Sequence, residues 1–123
     1  MARILVVEDD AILAEAYRIK LSAKYDVRIA PSGEDGVRQV EKWSPDVVLL
    51  DLYLSSSMDG VDVLRQIKKN INTRKVPVLV VTNLPDMERV VLDLGANKCL
   101  MKSDIDLNGI AGFLDDLLDK SQV

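Results

Sequence analysis

Val47-Val48-Leu49-Leu50-Asp51 is a run of four apolar residues that ends on a carboxylate, and Ile4-Leu5-Val6-Val7-Glu8-Asp9 repeats the pattern with two acids at its end. A strand that is apolar at every position has no solvent face, so it belongs inside a parallel sheet covered by helices on both sides. Both runs are therefore expected to be central strands that deliver three acids to one sheet edge. Carboxylates held close together repel, and each raises its neighbour's pKa unless a cation or a proton intervenes. A hard divalent metal is the simplest reason for such a cluster.

Working outward from these runs, residues 3–7, 26–30, 46–50, 76–81 and 98–101 read as extended, with longer amphipathic stretches between them. This is the βα alternation of a parallel sheet. The first helix is expected to start near Asp10, with Ile12, Ala16 and Ile19 on one face and Leu13 and Tyr17 beside them. Ser32 opens the second, with Asp35 placed as in a capping box. Asp59-Gly60 opens the third, which buries Val61, Leu64 and Ile67. Pro85 suits the first turn of a fourth helix and Gly95 its end. The fifth carries Ile110, Leu114 and Leu117 on one stripe, although Gly109 and Gly112 each weaken it by roughly 1 kcal/mol relative to Ala.

The chain has 123 residues, nearly half of them hydrophobic, and a net charge of −4, which predicts one packed domain, residues 1–123, rather than a disordered chain. Lys and Arg are scattered without a basic block, so direct nucleic-acid binding is not expected. The single cysteine, Cys99, allows no intrachain disulfide. No long apolar span and no basic-then-apolar leader precede the first strand, which predicts a cytoplasmic protein with no membrane insertion. Residues 120–123 are too few for an output domain. The absence of histidine excludes His-based triads and the usual His-rich zinc sites from this chain.

Five βα units joined by right-handed crossovers make a doubly wound sheet, whose ligands gather at the carboxyl ends of the strands. Glu8, Asp9 and Asp51 lie at those ends, as do Thr82 after Val78-Leu79-Val80-Val81 and Lys102 after Cys99-Leu100-Met101. Mg²⁺ takes octahedral oxygen ligands at about 2.0–2.1 Å, commonly one or two carboxylates with waters and phosphate oxygens. Asp9 and Asp51 can supply the carboxylates, with Glu8 reaching the metal through a water. An arriving phosphoryl group would meet the metal, the Lys102 ammonium and the Thr82 hydroxyl. Asp51 then becomes a candidate nucleophile for an aspartyl-phosphate.

In order and spacing, Ile4-Leu5-Val6-Val7-Glu8-Asp9-Asp10, Asp46 through Asp51, Met58-Asp59-Gly60, Val80-Val81-Thr82 and Gly95-Ala96 with Lys102 resemble the receiver domain of two-component response regulators over essentially the whole chain. The resemblance implies a flavodoxin-like (βα)5 fold with strand order 2-1-3-4-5. It also implies Asp51 as phosphoacceptor, Glu8 and Asp9 as metal-site acids, Thr82 as the switch hydroxyl and Lys102 as the phosphoryl-contacting lysine. Tyr53 would lend its backbone carbonyl to Mg²⁺. The implied partners are a histidine kinase or phosphotransfer protein upstream and a protein partner downstream. The resemblance implies no enzyme beyond a possible slow self-dephosphorylation.

Four departures from the family lie near the site. The segment between Asp51 and Gly60 is one residue longer than usual and lacks a proline, which predicts a more mobile loop and a flexible Ser55-Ser56-Ser57 run. Asn83 replaces a smaller residue after Thr82, and would either narrow phosphoryl access or add a hydrogen bond. Ser103 stands where the family has a cis-proline, so a trans Lys102-Ser103 bond and a shifted loop are expected. Cys99 replaces the aromatic half of the family's switch. The fifth helix has Asp115, Asp116 and Asp119 but no Lys or Arg between Leu107 and Asp119, so the salt-bridged dimer of transcription-factor receivers is not expected. A monomer or weak dimer is.

Two other classes compete with a stand-alone, phosphorylated receiver. A degenerate receiver would act as a phosphorylation-independent binding module, which Cys99 and Ser103 favour and the complete acidic set opposes. A Mg²⁺-dependent phosphatase resembling haloacid dehalogenases would need a second acid two residues after Asp51, where Tyr53 stands.

Overall fold

The computed structural model describes residues 1–121, and in residues 120 and 121 the backbone only. The chain runs β1 (Arg3–Val7), α1 (Ala11–Ser22), β2 (Asp26–Ala30), α2 (Gly33–Trp43), β3 (Val47–Asp51), α3 (Gly60–Lys69), β4 (Val78–Thr82), α4 (Glu88–Asp93), β5 (Lys98–Met101), a 3-10 turn (Lys102–Asp104) and α5 (Leu107–Ser121). The five strands form one sheet of order β2-β1-β3-β4-β5, parallel at every pairing. The tail beyond residue 121, read as too short for an output domain, lies outside the described residues.

The apolar strands divide their side chains between two cores. Leu5, Val7, Val48, Leu50, Val78 and Val80 pack with Val40, Val63, Leu64, Ile67 and Val91 on the side of α2, α3 and α4. Ile4, Val6, Val47, Leu49, Leu79 and Val81 pack with Tyr17, Leu21, Ile110, Leu114 and Leu118 on the side of α1 and α5. Side chains of successive strand residues point to opposite faces, so an all-apolar strand feeds both layers at once.

Local signals set most helix ends. Asp10 caps α1, its carboxylate accepting from the N–H groups of Ile12 and Leu13. Ser32 caps α2 by accepting from Asp35 N. Asp59 and Asp62 form a reciprocal capping box at α3. Gly60 is required there by space, because a Cβ would lie 2.3 Å from Leu52 Cα and 2.4 Å from the Asp51 carbonyl oxygen.

Four local expectations are corrected. In α3 the buried valine is Val63, beside Leu64 and Ile67, whereas Val61 is only partly buried. The buried stripe of α1 is Ala14, Tyr17 and Leu21, whereas Ile12 and Ile19 are 85% and 64% exposed. This helix has apolar residues around most of its circumference, and packing against α5 and the sheet selects the stripe. Pro85 does not open α4, which starts at Glu88; it precedes Asp86 in a turn where Asp86 takes the left-handed conformation, φ 61°. Proline followed by a residue of positive φ is the type II turn pattern. In α5 the buried third member of the stripe is Leu118, with Leu117 half-buried.

Candidate functional site

Parallel register brings the polar residues to one edge. Val7 pairs with Leu50, so Glu8 and Asp51 are the next residues of adjacent strands. Asp51 pairs with Val81 and Thr82 with Met101, which sets Asn83 and Lys102 side by side one step further out. Glu8, Asp9, Asp10, Asp51, Tyr53, Asn83, Leu84 and Lys102 line a cleft of about 370 Å³ above β1, β3, β4 and β5.

Lys102 is the centre of its electrostatics. Its Nζ donates to Asp51 Oδ2 at 2.9 Å and to Glu8 Oε1 at 3.2 Å. Asp51 is 7% and Glu8 2% exposed, so two carboxylates are removed from water beside a single ammonium. Burial, reinforced by the charge of Asp51 and its hydrogen bond, pushes the Glu8 carboxyl up to about 7. Burial pulls the Lys102 ammonium down, but its hydrogen bond to Asp51 and the charges of Asp51 and Glu8 outweigh this and hold it above the ordinary lysine value. Tyr17, buried in the adjacent α1, is pushed up to about 12 chiefly by burial.

The remaining acceptors are held by backbone. Tyr53 N donates to Asp51 Oδ1 at 3.1 Å, and the Tyr53 side chain itself is 69% exposed. Ser55 N donates to Asp9 Oδ2 at 2.8 Å, and hydrogen bonding from Ser55 keeps the Asp9 carboxyl below its ordinary range. Thr82 is buried at the end of β4, its Oγ1 accepting from Leu84 N at 3.0 Å, which leaves the hydroxyl proton free to donate.

The serine run is not a loose connection. Ser56 Oγ accepts from Gly33 N at 3.3 Å and donates to the Met58 carbonyl at 2.9 Å. Glu34 Oε1 accepts from Ser57 Oγ at 2.8 Å and from Met58 N at 2.9 Å. With Ser55 on Asp9, the segment joining β3 to α3 is tied to both α2 and the acidic cluster, which corrects the picture of a free loop. The ties to Gly33, Glu34 and Asp9 each link positions more than 20 residues apart in sequence, so no local pattern announces them.

Each of Glu8, Asp9 and Asp51 offers an oxygen, and these oxygens lie within 4.8 Å of one another. Three hard oxygen donors lying close together, two of them buried and drawn to an ammonium, suit an oxygen-liganded divalent cation. The donor set fits Mg²⁺.

All peptide bonds among the described residues are trans, that of Lys102-Ser103 included. Ser103 N donates to Asn83 Oδ1 at 3.0 Å, so of the two readings of Asn83 the added hydrogen bond is realised. Sequence singled out both residues separately; the β4–β5 register is the signal that would have joined them. Cys99 is half-buried in β5, and burial raises its thiol pKa.

A five-stranded parallel sheet of this order, with an acidic cleft over the carboxyl ends of its inner strands, defines a doubly wound α/β domain. The chain belongs to the response regulator receiver domain family, whose model matches residues 4–113. It is 40% identical over 103 residues to the DNA-binding response regulator MtrA of Mycolicibacterium paratuberculosis, covering 81% of this chain and 44% of that protein. It is 32% identical over 108 residues to the transcriptional regulatory protein LiaR of Bacillus subtilis, covering 84% of this chain and 50% of that protein. The chain thus spans half or less of the length of these curated relatives.

Among solved structures, a CheY-like receiver domain protein from Methanospirillum hungatei JF-1 superposes with TM-score 0.89 at 25% identity, covering 99% of this chain and 97% of that one. The receiver domain of a sensor histidine kinase from Pseudomonas aeruginosa PAO1 superposes with TM-score 0.85 at 26% identity, covering 96% and 98%; that structure has a magnesium ion coordinated in its active-site cleft.

Proposed function

We propose that Asp51 accepts a phosphoryl group from a histidine kinase or phosphotransfer protein, and that the resulting acyl phosphate alters contacts with a downstream protein in the cytoplasm. The observation that carries this reading is the Lys102 ammonium bridging Asp51 Oδ2 and Glu8 Oε1 over a buried acidic pair, with Thr82 buried at the end of the adjacent strand. An Asp51 carboxylate oxygen attacks phosphorus, forming the P–O bond as the P–N bond to the donor imidazole breaks, and the departing nitrogen keeps the electron pair. Lys102 neutralises oxygens of the transferring group and the Thr82 hydroxyl donates to one of them. Glu8, Asp9, Asp51 and the Tyr53 backbone carbonyl would hold Mg²⁺. When bound, the ion supplies charge neutralisation between the two anions as they approach.

The phosphoryl group adds close to two negative charges beside Thr82 and Lys102, enough to bias the loops carrying them between two arrangements. Incubation with Mg²⁺ and acetyl phosphate tests the reading. Intact-mass spectrometry is expected to show one hydroxylamine-labile phosphoryl adduct on the wild type and none on Asp51→Asn. A wild type that stays unmodified while partner binding persists would instead favour a phosphorylation-independent binding module.

A further inference from the structure

Lys102, Ser103 and Asp104 form the 3-10 turn that follows β5, and its N-cap residue, Met101, makes no side-chain cap bond. The first N–H groups of such a turn have no partner within it. Ser103 N finds one in the loop after β4: Asn83 Oδ1, at 3.0 Å. Asn83 is the residue after Thr82, and parallel register sets it across from Lys102. One hydrogen bond therefore joins the loop that follows the hydroxyl-bearing Thr82 to the turn that carries the ammonium. Both chemical groups sit one residue from its ends.

From this geometry we propose that Asn83 is a positioning residue for phosphorylation of Asp51: it caps the lysine-bearing turn from the loop after β4 and holds Lys102 over Asp51 and Glu8. The bond requires both of this chain's residues together, because a proline at 103 has no N–H to give and a small side chain at 83 has no acceptor to offer. It also makes the two loops one mechanical unit. A phosphoryl group that draws Lys102 and Thr82 inward moves the β4–α4 loop with the turn, a link that does not use the side chain of Cys99.

The inference rests on Asp51 being the phosphoacceptor, and its test is a double-mutant cycle in the full chain. Rates of Mg²⁺-dependent phosphorylation by acetyl phosphate are measured for wild type, Asn83→Ala, Ser103→Pro and the double variant, with melting temperatures alongside. One solvent-exposed hydrogen bond corresponds to a rate factor of up to about ten. Asn83→Ala is expected to lower the maximal rate by about three- to tenfold with little change in melting temperature or in the donor concentration giving half-maximal rate. In the Ser103→Pro background, where the donor is already gone, the same substitution is expected to change nothing further. Equal losses from Asn83→Ala in both backgrounds, or a wild-type rate for Asn83→Ala, would overturn the positioning role of Asn83 and leave Asp51 as phosphoacceptor. A wild type that accepts no phosphoryl group would overturn both.

Discussion

Glu8 is the residue whose environment has the most readable consequence. Its carboxyl is raised from about 4.5 to about 7 by burial and by Asp51, so the folded chain holds a proton there that the unfolded chain has lost. The stabilisation from protonated Glu8 is fully present below pH 4.5 and is lost as pH rises through 7. In chelator, the urea-unfolding free energy is expected to fall across that window, and Glu8→Gln to flatten the fall. A Glu8→Gln profile with the wild-type slope would refute the assignment. Lys102 is the complementary case. Lys102→Met leaves Asp51 and Glu8 buried without their ammonium, and removing one partner of a buried pair costs about 3–5 kcal/mol in general. Partial exposure of Lys102 places the expected loss below that range, and Mg²⁺ is expected to restore part of it; thermal melts with and without the ion measure both.

At the scale of elements, the start of α3 fixes Asp51 from behind. Gly60 N donates to the Leu52 carbonyl at 3.0 Å, and the glycine packs directly on the backbone of Asp51 and Leu52. Gly60→Ala must push α3 off the end of β3, with an expected cost of about 1–3 kcal/mol for overpacking. The displaced Asp51 should then be phosphorylated more slowly. Asp59→Ala removes one half of the capping box and should cost about 1 kcal/mol without altering the rate. Chemical denaturation and phosphorylation kinetics on the two variants separate positioning from stability. The elements also show where pattern reading stops. In α2 the buried face, Val40 and Trp43 with Gly33 and Gly36, stands against a polar remainder, whereas α1 is apolar at Ile12, Leu13, Ala14, Ala16, Tyr17 and Ile19, and only its neighbours decide which of these are covered.

For the molecule as a whole, the proposed divalent-ion binding at the strand edge would appear as folding stability, because an ion that binds only the native chain stabilises it by about 2.7 kcal/mol at one hundred times its dissociation constant. Mg²⁺ is therefore expected to raise the melting temperature of the wild type by several degrees and that of Asp9→Asn by much less, as followed by calorimetry. An equal rise in both would remove Asp9 from the metal site. Among the described residues no helix is long and apolar enough to cross a membrane.

The sequence alone determined the parallel sheet, two of its three inner strands and the residues at their ends, because a strand apolar at every position has no solvent face and its terminal carboxylate then has one edge to occupy. Glu8, Asp9, Asp51, Thr82 and Lys102 could be named before any coordinate. What the tertiary structure decided is how these groups engage one another: Lys102 shared between two acids, Ser55 on Asp9, Glu34 holding the serine run, and Asn83 joined to Ser103. The physical reason is range. Strand burial and helix capping are encoded within a few residues, whereas these hydrogen bonds link positions 20 to 94 apart, and only the register of neighbouring strands and the packing of loops across the sheet edge bring them within reach.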